Sequence, residues 1–131
     1  MPDRELAVRR VGPDGDLPDA PTLWPDPDLK PFDDGPLEEV WLHPDGRTLT
    51  VYGLHGFDQA LYSLAVEESD AEVVLSATIG FTPEAAQRMA ESSEPLMIPA
   101  IGLRWCTEVR LQQPLADRRV VARPGPHRRR S

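Results

Sequence analysis

A single cysteine, Cys106, stands in this chain of 131 residues, so no intrachain disulfide can form. No run of residues approaches the ~18–20 apolar positions that a membrane helix needs. The N-terminal stretch MPDRELAVRRVGPDGD is charged and has no apolar core of the kind a secretory signal carries. These absences lead us to expect a cytoplasmic protein with no membrane partner. Aromatic residues are scarce, at 6%, whereas proline is abundant, with 15 residues, so a sizeable part of the chain should lack regular structure. Phosphate-cradling glycine loops, the G-x-S-x-G nucleophile elbow and the H-E-x-x-H metal helix are all missing. We therefore expect no cofactor and no bound metal.

Charge is present but unevenly spread. Residues 118–131 hold Arg118, Arg119, Arg123, Arg128, Arg129 and Arg130 and no acid, so the rest of the chain carries −14 of a net −8. An acidic body argues against nucleic acid as the main partner. Another protein is the expected partner, touched by the basic tail or by exposed aromatics. Oligomeric state is not set by the sequence.

The strongest pattern lies in residues 101–122. Leu103, Trp105, Thr107, Val109 and Leu111 alternate with Arg104, Cys106, Glu108 and Arg110, which is the period of a half-buried strand. Pro114 should end it, and Val120-Val121 reads as a short closing strand. Upstream, residues 38–53 read as a hairpin turning at Pro44-Asp45-Gly46, with Val40 and Leu42 on one face and Trp41 on the other. Residues 61–69 predict a strand with Tyr62, Leu64 and Val66 facing inward. Residues 72–81 predict another, with Val73, Leu75, Ala77, Ile79 and Phe81 on one side. Thr82 as cap and Pro83 at the first position start a short helix over 83–92. Residues 5–11 give a weak signal for an edge strand.

Residues 13–36 differ from the rest. Seven prolines and seven aspartates fall there, excluding helix and central strand. Leu23, Trp24, Leu29 and Phe32 would anchor the segment onto the domain. The expected division is thus an extended acidic segment (1–36), a β-rich domain (37–122) and a basic tail (123–131). The fold class is mainly β: a small antiparallel sandwich or half-barrel with one short helix.

Part of this pattern resembles a known family. Tyr52-Gly53, Val66-Glu67-Glu68-Ser69, and above all Val109-Arg110-Leu111, Pro114-Leu115 and Asp117-Arg118-Arg119-Val120-Val121 are similar to a small β-rich domain of actinobacterial hypothetical proteins and lipoproteins. The resemblance covers roughly residues 46–122. Exported relatives often have a cysteine pair near the first loop and before the last long strand. Here the first loop has His55, and Cys106 lies within the strand, so neither the disulfide nor export carries over. The family implies no catalytic residues.

Candidate chemistry is sparse. Cys106, placed outward beside Arg104, lacks a neighbouring base, and a structural thiol is the better reading. His43 and His55 flank one strand at opposite ends and do not form a ligand set. Glu67, Glu68, Asp70 and Glu72 read as a solvated hairpin tip, not a calcium loop. The leading functional reading is a non-catalytic binding or protein-interaction module, with Trp24, Phe32, Arg128, Arg129 and Arg130 as possible interaction residues. One alternative is an acidic inhibitor or immunity-type protein masking a basic enzyme. The other is a small enzyme using His55, Asp58 and Cys106.

Overall fold

The computed structural model describes residues 4–56, 59–91 and 103–123. Its strands in chain order are β1 (Arg4–Arg10), β2 (Lys30–Asp34), β3 (Leu37–Leu42), β4 (Thr48–His55), β5 (Gln59–Glu68), β6 (Glu72–Phe81), β7 (Leu103–Arg110) and β8 (Arg119–Ala122). One helix, α1 (Pro83–Glu91), follows β6. The eight strands form one strongly curled half-barrel sheet in the order β2-β6-β8-β1-β3-β4-β7, with β5 also pairing β6. The fold is therefore mainly β, as the alternation in the sequence implies.

The hairpins fall where turn chemistry puts them. In the β3–β4 turn, Asp45 Oδ1 accepts from the amides of Arg47 and Thr48, and Gly46 takes φ of 74°, a conformation cheap only without a Cβ. The β5–β6 hairpin closes on Ser69, whose amide and hydroxyl both donate to the Glu72 carbonyl. Val40, Leu42, Leu49, Val51, Val73, Leu75, Ala77, Ile79, Trp105 and Val120 meet in one core inside the curl.

Three expectations are corrected here. Residues 4–10 are not an edge strand: β1 pairs β8 on one side, through Arg4–Leu6, and β3 on the other, through Ala7–Arg10. It looked weak because Leu6 alone is buried; backbone bonds on both sides hold it, and side-chain burial does little. Residues 1–36 are accordingly not a segment apart from the sheet. They supply β1, and also β2, which pairs β6. In β5, Leu61 takes the inward place expected of Tyr62. A bulge between Leu61 and Ser63 inserts one residue and shifts the phase, after which Leu64 and Val66 pack on the core as expected.

β2 runs into β3 through a corner at Gly35-Pro36, where the chain leaves β6 for β4. The corner is tight. A Cβ on Gly53 would lie 2.6 Å from the Trp105 ring and 2.9 Å from the Pro36 carbonyl. The absence of a side chain at 53 is what lets the fully buried Trp105 indole lie against β4.

Candidate functional site

Residues 17–29 cross from β7, at one end of the sheet, to β5, which pairs β6. The Leu23 amide donates to the Cys106 carbonyl at 2.8 Å, and the Cys106 amide donates to the Pro21 carbonyl at 2.9 Å. Thr22 thus pairs with Cys106 as a parallel bridge. Three residues on, the Asp26 amide donates to the Leu61 carbonyl of β5 at 3.0 Å. Prolines 18, 21, 25 and 27 keep this strap extended and limit it to isolated bonds, because they have no N–H for a continuous ladder. Leu23 packs against the core and Leu29 is buried.

Trp24 does the opposite of what was expected. It is 63% exposed and anchors nothing. Adjacent residues of an extended chain point to opposite sides, and Leu23 holds the inward place. Phe32 lies in β2, but its side chain is outside the described residues, as are Arg128, Arg129 and Arg130.

Beneath the strap, the outer face of β3, β4 and β7 carries a polar and aromatic cluster. Tyr52 pairs in register with Glu39 on one side and Cys106 on the other. Its hydroxyl donates to the Pro18 carbonyl at 2.8 Å, and the Arg104 guanidinium lies 4.7 Å from its ring centroid. Burial pushes the Tyr52 phenol above its ordinary pKa, so it stays protonated and keeps that bond. Arg104 also pairs with Glu39 at 2.7 Å, and Arg9 of β1 reaches the other Glu39 oxygen at 2.9 Å. Burial raises the Glu39 pKa, but the Trp41 indole, Arg9 and Arg104 together outweigh it, and the net shift is downward.

Cys106 is buried, contrary to its expected exposure, because the strap covers the outer face of β7 at this point. Its thiol donates to the Ala20 carbonyl at 3.5 Å and lies 3.7 Å from Thr22 Oγ1. Register decides the proposed enzyme pair. Cys106 opposes Tyr52, whereas His55 opposes Leu103, an odd number of residues away, so His55 and Cys106 lie on opposite faces of the sheet. His43 shares the outer face, but its Nε2 is bonded to Thr50 Oγ1 at 2.7 Å. Asp58 lies outside the described residues. Among the described residues no group of three or more His, Cys, Asp or Glu side chains is placed to hold a metal ion. No described helix is long and apolar enough to cross a membrane.

Of the acids of the β5–β6 hairpin, Glu67 and Asp70 are exposed as expected, but Glu68 and Glu72 are not simply solvated. Glu68 accepts from the amides of Gln112 and Gln113 and pairs with Arg118, while Glu72 pairs with Arg119 and, at 3.9 Å, with Arg123. The first half of the basic stretch therefore meets this hairpin. Sequence reading missed this clamp, and also Glu39, Tyr52 and Arg104, because cross-strand neighbours separated by many residues leave no local pattern.

One titratable group gives a direct test of the turn chemistry. Asp45 receives the Thr48 hydroxyl at 2.6 Å and two backbone amides, and its pKa is lowered from 3.8 to about 2. A lowered folded-state pKa contributes stability above the ordinary value that is lost as pH falls through the folded one. Between pH 4 and pH 2, roughly, wild type should lose more stability than Asp45→Asn, as read from urea midpoints at each pH. Parallel losses in the two proteins would contradict this assignment.

Comparison of the chain with family models, with curated proteins and with solved structures returned no match.

Proposed function

We propose that this protein is a non-catalytic interaction module that meets a partner protein through its strap, with Trp24 at the centre of the contact. The observation that carries this reading is the exposure of Trp24 between residues held in place. Leu23 is bonded to β7 and Asp26 to β5, so the indole projects from a braced backbone. A large apolar ring kept in water on a rigid support loses little entropy on docking, and tryptophan is among the residues that most often dominate interfaces. The single cysteine supports a cytoplasmic setting for this module. Residues 109–121 support kinship with the β-rich actinobacterial family described above.

A photo-crosslinking amino acid replacing Trp24 in the source cell should capture one protein reproducibly. The same group replacing Val8, which is also exposed but lies on β1, should not. Because the indole is largely solvated, Trp24→Ala should lower partner recovery and leave the melting temperature within about 1–2 °C of wild type. Equal capture at both positions, or none at 24, would overturn the reading.

A further inference from the structure

We infer that the partner surface seated on the strap is cationic: an extended segment rich in arginine or lysine. This rests on the interaction-module reading and names the chemistry of its partner.

The first observation is what surrounds Trp24. Between Arg10 and Lys30 there is no basic residue, whereas Asp14, Asp16, Asp19, Asp26 and Asp28 all fall there. All five are exposed, and none forms an ion pair among the described residues. Five acids elsewhere are matched. Glu38 and Glu39 meet Arg104, Glu39 also meets Arg9, and Glu67, Glu68 and Glu72 meet Arg123, Arg118 and Arg119. Within the strap, Asp19, Asp26 and Asp28 thus leave negative charge uncompensated on either side of an exposed indole.

The second observation is the imbalance of hydrogen-bonding groups. Pro18, Pro21, Pro25 and Pro27 have no N–H. The amides of Leu23 and Asp26 point to the sheet, and those of Asp28 and Leu29 are taken by Asp26. The backbone of 25–29 therefore offers acceptors and almost no donors. A guanidinium offers five donors and no acceptor. The Trp24 face adds a surface on which it can stack, as Arg104 stacks on Tyr52 in this same molecule.

The chain's own Arg128, Arg129 and Arg130 are the competing occupant. The nearer arginines of that stretch, Arg118, Arg119 and Arg123, meet the β5–β6 hairpin instead of the strap. We therefore assign the strap to a segment supplied in trans.

The test uses the full chain and a fluorescein-labelled hexa-arginine peptide, read by anisotropy, with hexa-glutamate as the control peptide. Hexa-arginine should bind, hexa-glutamate should not, and binding should be lost in molar salt. Trp24→Ala, and separately Asp26→Asn with Asp28→Asn, should each weaken binding about fivefold to tenfold. Glu5→Gln on β1 should leave it unchanged. No binding, or equal binding by Trp24→Ala, would overturn the inference, the latter because it marks diffuse attraction to an acidic protein. An affinity gain of about tenfold on replacing Arg128, Arg129 and Arg130 with serine would overturn it too, by showing that the tail is the occupant. Crosslinking at 24 separates the two claims. Capture of a partner without hexa-arginine binding removes the cationic assignment and leaves the module. Peptide binding without capture does the reverse.

Discussion

Removal of residues 1–36 should abolish the cooperative unfolding transition, not merely lower its midpoint. β1 is the strand through which the two halves of the sheet are hydrogen-bonded: Arg4–Leu6 pair β8, and Ala7–Arg10 pair β3. Without it, β8 keeps only β6 as a neighbour and β3 keeps only β4. The same cut removes β2 from β6, the strap from β5 and β7, and the buried side chains of Leu6 and Leu29. Each large apolar side chain taken from the core costs about 2–5 kcal/mol, against a total stability of roughly 5–15 kcal/mol for a domain. The fragment 37–131 should therefore show a sloping thermal melt by circular dichroism and bind a hydrophobic dye. A sharp transition from the fragment would show that the sheet is complete without β1.

The second large effect is expected at Arg118. Its guanidinium donates to the carbonyls of Gln113 and Pro114 at 2.9 Å and of Ser69 at 3.2 Å, and to Glu68 at 3.3 Å. Its side chain is 11% exposed and that of Glu68 is 17%, so the pair is well shielded from water. This cluster ties the end of β5 to the crossing from β7 to β8. Arg118→Ala leaves several carbonyl oxygens and one carboxylate short of donors, at a cost of about 2–4 kcal/mol, or roughly 8–15 °C in melting temperature. Arg118→Lys should recover less than half of that, because an ammonium cannot span the same set of acceptors. In Glu68→Gln the loss should be smaller, since a side-chain oxygen remains to accept from the Gln112 amide. A change below about 0.5 kcal/mol for Arg118→Ala would place this side chain among ordinary surface residues.

What the sequence made legible was whatever depends on neighbours close along the chain. Strand β6 has the limits read from its run of apolar residues, and the Pro44-Asp45-Gly46 turn sits where its residue types require. Val40 and Leu42 are in the core with Trp41 on the other face, as alternation demands. Features set by distant partners were not legible. β1 has almost no buried face, so no periodicity announced that it lies inside the sheet. A bulge near Tyr62 depends on the pairing with β6. Ala116, at φ 50°, holds a turn whose backbone conformation alanine does not favour, and so gave no turn signal. At the candidate site, Trp24 was singled out by type, but its direction was misread. The burial of Cys106 follows from a strap that begins more than eighty residues earlier in the chain.

The position of β1 bears on how the molecule reaches this state. Arg4 pairs with Ala122, so the first of the described strands closes on the last, more than a hundred residues further along the chain. A loop of that length gains no ladder bonds until both strands are present, and such pairings slow folding. While the ribosome is still making β7, the edges of β1 and β6 that β8 will cover are unpaired and able to join other chains. Completion of the sheet therefore waits for β8. Refolding yield should depend on protein concentration more steeply than final stability does.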